Sequence, residues 1–148
     1  MRYPAWMTCS LLPYGDTIGV CPVCGTRLTT GQRRWCSTEC SRFYTRNHYW
    51  PNARAAALNR DGHRCVKCQW SKELFDQLAG GQYFLWSRAT LKLCKDDNWL
   101  EVNHIVPRAG EGYGMGCHHH QSNLETLCHK CHVKVTRRQR VQRVRLAS

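Results

Sequence analysis

The chain has 148 residues, enough for one domain or for two very small ones that need staples. Its 42% hydrophobic content includes 11 cysteines, and no apolar run approaches the roughly 20 residues of a membrane-spanning helix. Lys and Arg number 22 against 10 acids, a formal charge of +12 that favours a polyanion partner over a membrane surface, since no amphipathic helix with an aromatic apolar face accompanies it.

Dense cysteine means either disulfides or metal sites, and the spacing separates the two. Cys21/Cys24, Cys65/Cys68 and Cys128/Cys131 are Cys-x-x-Cys pairs, and Cys36/Cys40 has three residues between. Two thiolates so spaced can turn onto one ion at about 2.3 Å each, the structural zinc pattern. A redox role is disfavoured because no thioredoxin-like βαβ pattern surrounds a pair. Residues 1–15 carry two prolines and no continuous apolar core, so no signal peptide is read there. The expectation is a reducing, intracellular compartment: cytoplasm, nucleoid or nucleus.

In chain order, residues 1–20 read as an extended lead-in, with Pro4, Pro13, Gly15 and Gly19 and an unpaired Cys9. Residues 21–50 read as a zinc knuckle in which Cys21, Cys24, Cys36 and Cys40 hold one structural zinc; disulfides or free thiols are the alternative. Gly25 permits the tight turn, and Cys36 and Cys40, one helical turn apart, point to a helix start with Ser37 and Glu39 early in it. Residues 51–62 predict a linking helix with Asn52 as N-cap, alanines for propensity and Asp61-Gly62 as the stop.

Beyond Cys65 and Cys68, a helix is predicted over 72–78, then an aromatic patch over 83–86. An alternating run over 90–94 and a turn over 95–98 lead into a strand over 99–106. A glycine-spaced loop follows to residue 122, with Gly110, Gly112, Gly114 and Gly116 at every second position. Asn123 opens a second short alternating run, and a helix is predicted from Thr126 or Leu127 onward. It leads into a basic C-terminal tail over 137–148. From Lys134 to Arg145 there are six basic residues and no acid. Arg137, Arg138, Arg140 and Arg143 are the expected phosphate contacts.

The pairs Cys65/Cys68 and Cys128/Cys131 are read as a second structural zinc site that encloses the expected strands. On a helix, His132 would lie ~100° round from Cys131, free of that zinc and able to face another ligand; the competing reading makes it a zinc ligand. Cys117, His118, His119 and His120 invite a third metal, yet consecutive residues rarely satisfy one tetrahedral ion, and the alternative is polar loop residues lying along DNA.

Asn103 and His104 at the end of one alternating run, Asn123 opening another, and His132 after Cys-x-x-Cys resemble the HNH endonuclease family over roughly residues 60–137. The resemblance implies a small α+β, zinc-stapled ββα-metal core over 63–136. It also implies a DNA endonuclease acting on double-stranded or branched DNA with one Mg²⁺ or Mn²⁺. His104 would be the general base, Asn103 and His132 ligands of the catalytic ion, and Asn123 a brace for the loop that aims His104. Asn103 departs from the commoner aspartate, and a neutral amide oxygen is a weaker ligand. Glu101, two residues earlier on the same strand face, is the candidate compensating carboxylate. Asn103 and His104 point to opposite faces of a regular strand, so both serve one phosphate only if the strand twists or ends there. The reading from another class is a zinc-dependent nucleic-acid-binding protein with little or no cleavage.

Overall fold

A computed structural model describes residues 9–71, 100–108 and 114–147. The expectations for the helix over 72–78, the aromatic patch, the run over 90–94, the turn over 95–98, Gly110 and Gly112 lie outside these residues. The elements are α1 (Thr38–His48), α2 (Trp50–Arg60), β1 (Leu100–His104), β2 (Leu124–Cys128) and α3 (His129–Ala147), with single 3-10 turns at Cys117–His119 and Gln121–Asn123. They fall into two compact units, one within Met1–Ala56 and Arg108–Asn123, the other within Ala57–Pro107 and Leu124–Ser148.

In the first unit the chain turns sharply after Cys24. Gly25 takes φ +75° and donates its amide to the Cys21 carbonyl at 2.8 Å, a left-handed conformation that glycine adopts without steric cost. An isolated bridge between Val20 and Arg27 closes the knuckle. α1 begins as its sequence signals: Ser37 is the N-cap, its side chain accepting from the Cys40 amide at 3.2 Å, and Glu39 lies in the first turn, where the helix dipole favours an acid. α2 starts at Trp50, two residues before the expected cap Asn52, which is inside the helix. Pro51 in the first turn allows this, because an amide there has no intrahelical partner to lose. The apolar core of this unit is thin: Cys9, Leu12 and Tyr44, with Leu11, Val23, Trp35 and Cys117 packed on them.

In the second unit α2 stops where expected. Gly62 has φ +61°, and the His63 amide reaches back to the Leu58 carbonyl at 2.9 Å. Arg60 and the Thr126 amide hold the Asp61 carboxyl below its ordinary range, although burial opposes them. β1 and β2 pair antiparallel, with Leu100 opposite Cys128, Asn103 opposite Glu125 and His104 opposite Leu124.

The helix expected from Thr126 or Leu127 begins only at His129; the residues before it are strand. The outward edge of β2 explains the difference. The Thr126 amide donates to Asp61 Oδ2 at 3.0 Å and its carbonyl accepts from the Val66 amide at 2.9 Å, so both groups are engaged away from any helix. Cys65, Leu100, Leu127 and Cys128 form the core, with Leu58, Trp70, Cys131 and Val135 packed against it. The result is a small α+β fold in which a two-stranded sheet is followed directly by a helix.

Candidate functional site

Each zinc-type cysteine set is gathered in space. The sulfurs of Cys21, Cys24, Cys36 and Cys40 all lie within 4.8 Å of one another, as do those of Cys65, Cys68, Cys128 and Cys131. Cys24 is 3.3 Å from Cys36, Cys36 is 3.6 Å from Cys40, Cys40 is 3.7 Å from Cys24, and Cys68 is 3.7 Å from Cys128. A tetrahedral zinc with bonds of about 2.3 Å needs sulfur–sulfur edges of about 3.8 Å, whereas a disulfide needs about 2.05 Å. None of the ten described cysteines is in a disulfide. The donor sets therefore fit a divalent thiophilic ion.

Their protonation is uneven. The Thr26 hydroxyl, 3.2 Å from the Cys24 sulfur, and the Thr26 amide hold the Cys24 thiol down at about 6, while the hydrogen bond to Cys24 pushes Cys36 up to about 12. In the second set burial opposes ionisation of Cys65, but the amides of Cys128, Cys68 and Lys67 bring it down to about 7; burial pushes Cys128 up to about 12. Each set thus presents one sulfur as a ready thiolate and another whose proton a cation must displace.

The other candidate groups sit along β1. Cys131 and Val135 of α3 face the second unit's core, whereas His132 meets the Glu101 carboxylate at Oε2, and His129 Nδ1 lies 2.7 Å from Glu101 Oε1. Seven residues further along α3, Gln139 Nε2 donates to the carbonyls of His104 at 2.9 Å and Ile105 at 3.1 Å. His132 and Gln139, two turns apart, share a helix face, so the first half of α3 lies lengthwise along β1, held at its first turn and again at Gln139. Glu101 stands at the first turn of α3, where the helix dipole stabilises an anion. Glu101 is thus a carboxylate shared between two imidazoles.

Asn103 is 6% exposed and its Nδ2 donates to Glu125 Oε1 at 3.0 Å across the strand pair; Lys67 Nζ holds the other oxygen of Glu125 at 3.0 Å. Because a carboxylate only accepts, the Asn103 amide nitrogen is fixed toward Glu125 and its oxygen is turned away. β1 ends at His104, which is buried, and Ile105 and Val106 bend away from the strand. The strand therefore stops two residues short of the expected Val106.

The family model for HNH endonuclease matches residues 91–138, which is 48 of the chain's 148. Residues 91–138 are thus similar to an HNH endonuclease domain. The match is narrower than the 60–137 of the sequence resemblance, but it takes in both strands and the first half of α3. No curated protein and no solved structure matches the chain.

Of the residues expected to act with this HNH domain, Glu101, Asn103, His104 and His132 lie on β1 and the facing side of α3. Asn123 belongs to the first unit, and its Nδ2 donates to the His118 carbonyl at 2.9 Å. Arg137, Arg138, Arg140 and Arg143 lie on α3, which continues to Ala147 where the sequence suggested a tail. Sequence reading missed the partnership of Glu125 and Lys67 with Asn103. Only the strand register, with Asn103 opposite Glu125, carries that signal. It also missed Cys9 and His48, which gather with Cys117 and His120 in the first unit. Among the described residues no helix is long and apolar enough to cross a membrane.

Proposed function

We propose that the HNH domain hydrolyses DNA phosphodiester bonds with one divalent ion, Mg²⁺ or Mn²⁺, and that each four-cysteine set holds a structural zinc. The observation that carries the reading is the Glu101 carboxylate held against His132 within a matched HNH segment, beside a strand that ends at His104. His104 acts as general base, taking a proton from the attacking water, as an imidazole can near neutral pH. Asn103, through its amide oxygen, and His132 are ligands of the catalytic ion, with Glu101 supplying the negative charge that Asn103 lacks. When bound, that ion supplies charge relief on the phosphate and stabilises the departing 3′ oxygen. Lys67 and Glu125 fix the Asn103 amide so that its oxygen is the end turned away from Glu125. Asn123 braces the loop that aims His104, the role that the HNH resemblance gives it. Arg137, Arg138, Arg140 and Arg143 hold the DNA backbone through charge, without reading its sequence.

Supercoiled plasmid incubated with the protein and Mg²⁺ or Mn²⁺ should be nicked or linearised, and both Glu101→Gln and His132→Ala should slow the cutting. DNA retention without cutting in either metal would favour the second reading, a zinc-dependent binding protein, which the neutral Asn103 keeps in view.

A further inference from the structure

Four side chains from three separate stretches of the first unit converge on one point. Cys9 Sγ lies 3.1 Å from His120 Nε2 and 3.2 Å from His48 Nε2, and the two Nε2 atoms are 3.3 Å apart. With the Cys117 sulfur, all four ligand atoms lie within 4.8 Å of one another. A tetrahedral zinc with bonds of about 2.3 Å to sulfur and about 2.05 Å to nitrogen has edges of about 3.3 Å between nitrogens and about 3.55 Å between nitrogen and sulfur.

The surrounding hydrogen bonds prepare these atoms as ligands. His48 Nδ1 lies 2.9 Å from the Tyr44 carbonyl, which can only accept; Nδ1 therefore carries the hydrogen, and Nε2 presents its lone pair to the cluster. The Leu11 amide donates to Cys9 Sγ at 3.3 Å, a donor directed at sulfur. Of the three consecutive histidines, His119 is turned elsewhere. Its Nε2 lies 3.0 Å from both the Gly114 carbonyl and His118, and its ring packs on Trp50 with centroids 5.1 Å apart. His120 is the one aimed at Cys9. Cys9 and His48 are buried, with His48 at 0% exposure, and Cys117 and His120 are half-buried.

We propose that Cys9, His48, Cys117 and His120 bind a third zinc ion. Two thiolates and two imidazoles in a tetrahedral arrangement suit zinc, and four protein ligands leave no position open for substrate, so the site is structural. It ties residue 9 and residues 117–120 to the end of α1, in a unit whose apolar core is too thin to do so alone. The difficulty of consecutive ligands disappears, because only two of the four come from residues 117–120.

Elemental analysis of the full chain, purified under reducing conditions, should find three zinc ions per chain. His118→Ala should keep three, and Cys117→Ala or His120→Ala should lose one. Two per chain in the native protein, or three in His120→Ala, would overturn the proposal. Because ligand loss can unfold the unit, His120→Cys provides a second test. Loaded with Co²⁺, it should keep three ions and shift the ligand-field bands to the red as nitrogen is exchanged for sulfur. An unshifted spectrum would also overturn it. Metal content and spectrum are read without reference to cutting, so this test and that of the nuclease reading fail separately.

Discussion

In the proposed site, Asn103 sets how much charge β1 would offer a cation. Its neighbour Glu125 changes what an aspartate would do there. Asn103→Asp places a second carboxylate where the amide now donates to Glu125 at 3.0 Å. Two carboxylates that close repel, and Lys67, on the far oxygen of Glu125, offsets only part of this, so one must hold its proton or be strained. Without Mg²⁺ the variant should lose about 1–3 kcal/mol of stability. With Mg²⁺ it should recover more than the native protein gains, and Glu125→Gln should cancel the loss. Thermal melts at constant zinc, with and without Mg²⁺, read this; equal melting of variant and native in both conditions would contradict it. Glu101→Gln acts differently, since it removes the charge between His129 and His132. A group that orients and charges a ligand set is worth roughly tenfold to a hundredfold in metal affinity, so Mg²⁺ titration of activity should shift by that factor. If Glu101 compensates for Asn103, its loss should be milder in the Asn103→Asp background, and additive losses would show that the two do not share an ion.

At the scale of elements, the two knuckles repeat one turn with different residues at its hinge. Gly25 at φ +75° and Gln69 at φ +60° both donate their amides at 2.8 Å to the first cysteine's carbonyl, Cys21 and Cys65 respectively. A Cβ at Gly25 would stand 2.8 Å from the Tyr14 ring. Gly25→Ala should therefore cost more than the roughly 1–2 kcal/mol of a left-handed residue and lower zinc retention at the first set. Gln69→Gly should instead stabilise by about 0.5–1 kcal/mol, the relief of strain less the added chain entropy. Denaturant melts with a zinc-release dye read both; a harmless Gly25→Ala would contradict the shared-turn account. The turn at Gly25, the helix start near Ser37 and the Gly62 stop were legible because a few consecutive residues determine them, whereas the matching turn at Gln69 has no glycine to signal it. The start of α3 was not. Residues 124–131 fit either period, and the choice is made by Asp61 and Val66, some sixty positions earlier. Glu125 beside Asn103 could be read only with the strand register, and Cys9 with His48 only with the fold, since no local spacing joins residue 9 to residue 120.

For the whole molecule, charge and metal set the behaviour. With a net charge of +12 and Arg137, Arg138, Arg140, Arg143 and Arg145 spaced along α3, DNA affinity should fall steeply with salt. Removing residues 137–148 should flatten the slope of log affinity against log salt by about 0.9 for each phosphate those arginines neutralise and leave zinc content intact. An unchanged slope would mean that these arginines do not touch DNA. Zinc binding should also depend on pH. Cys36 and Cys128, both pushed up to about 12, are protonated in the metal-free protein at pH 7 and must release those protons to bind. Affinity at each set therefore falls as pH falls. Calorimetric zinc titrations in buffers of different ionisation enthalpy should show at least one proton released per set at pH 7, and buffer-independent heats would contradict this. The central claim, that the HNH domain cuts DNA with His104 as its base, is tested most directly by supercoiled plasmid in Mg²⁺ or Mn²⁺, comparing the native protein with His104→Ala while measuring DNA binding in parallel. The account predicts nicking by the native protein and a loss of about 10²–10⁴-fold in rate for His104→Ala, with DNA binding and zinc content unchanged; a His104→Ala protein that cuts at the native rate would contradict it.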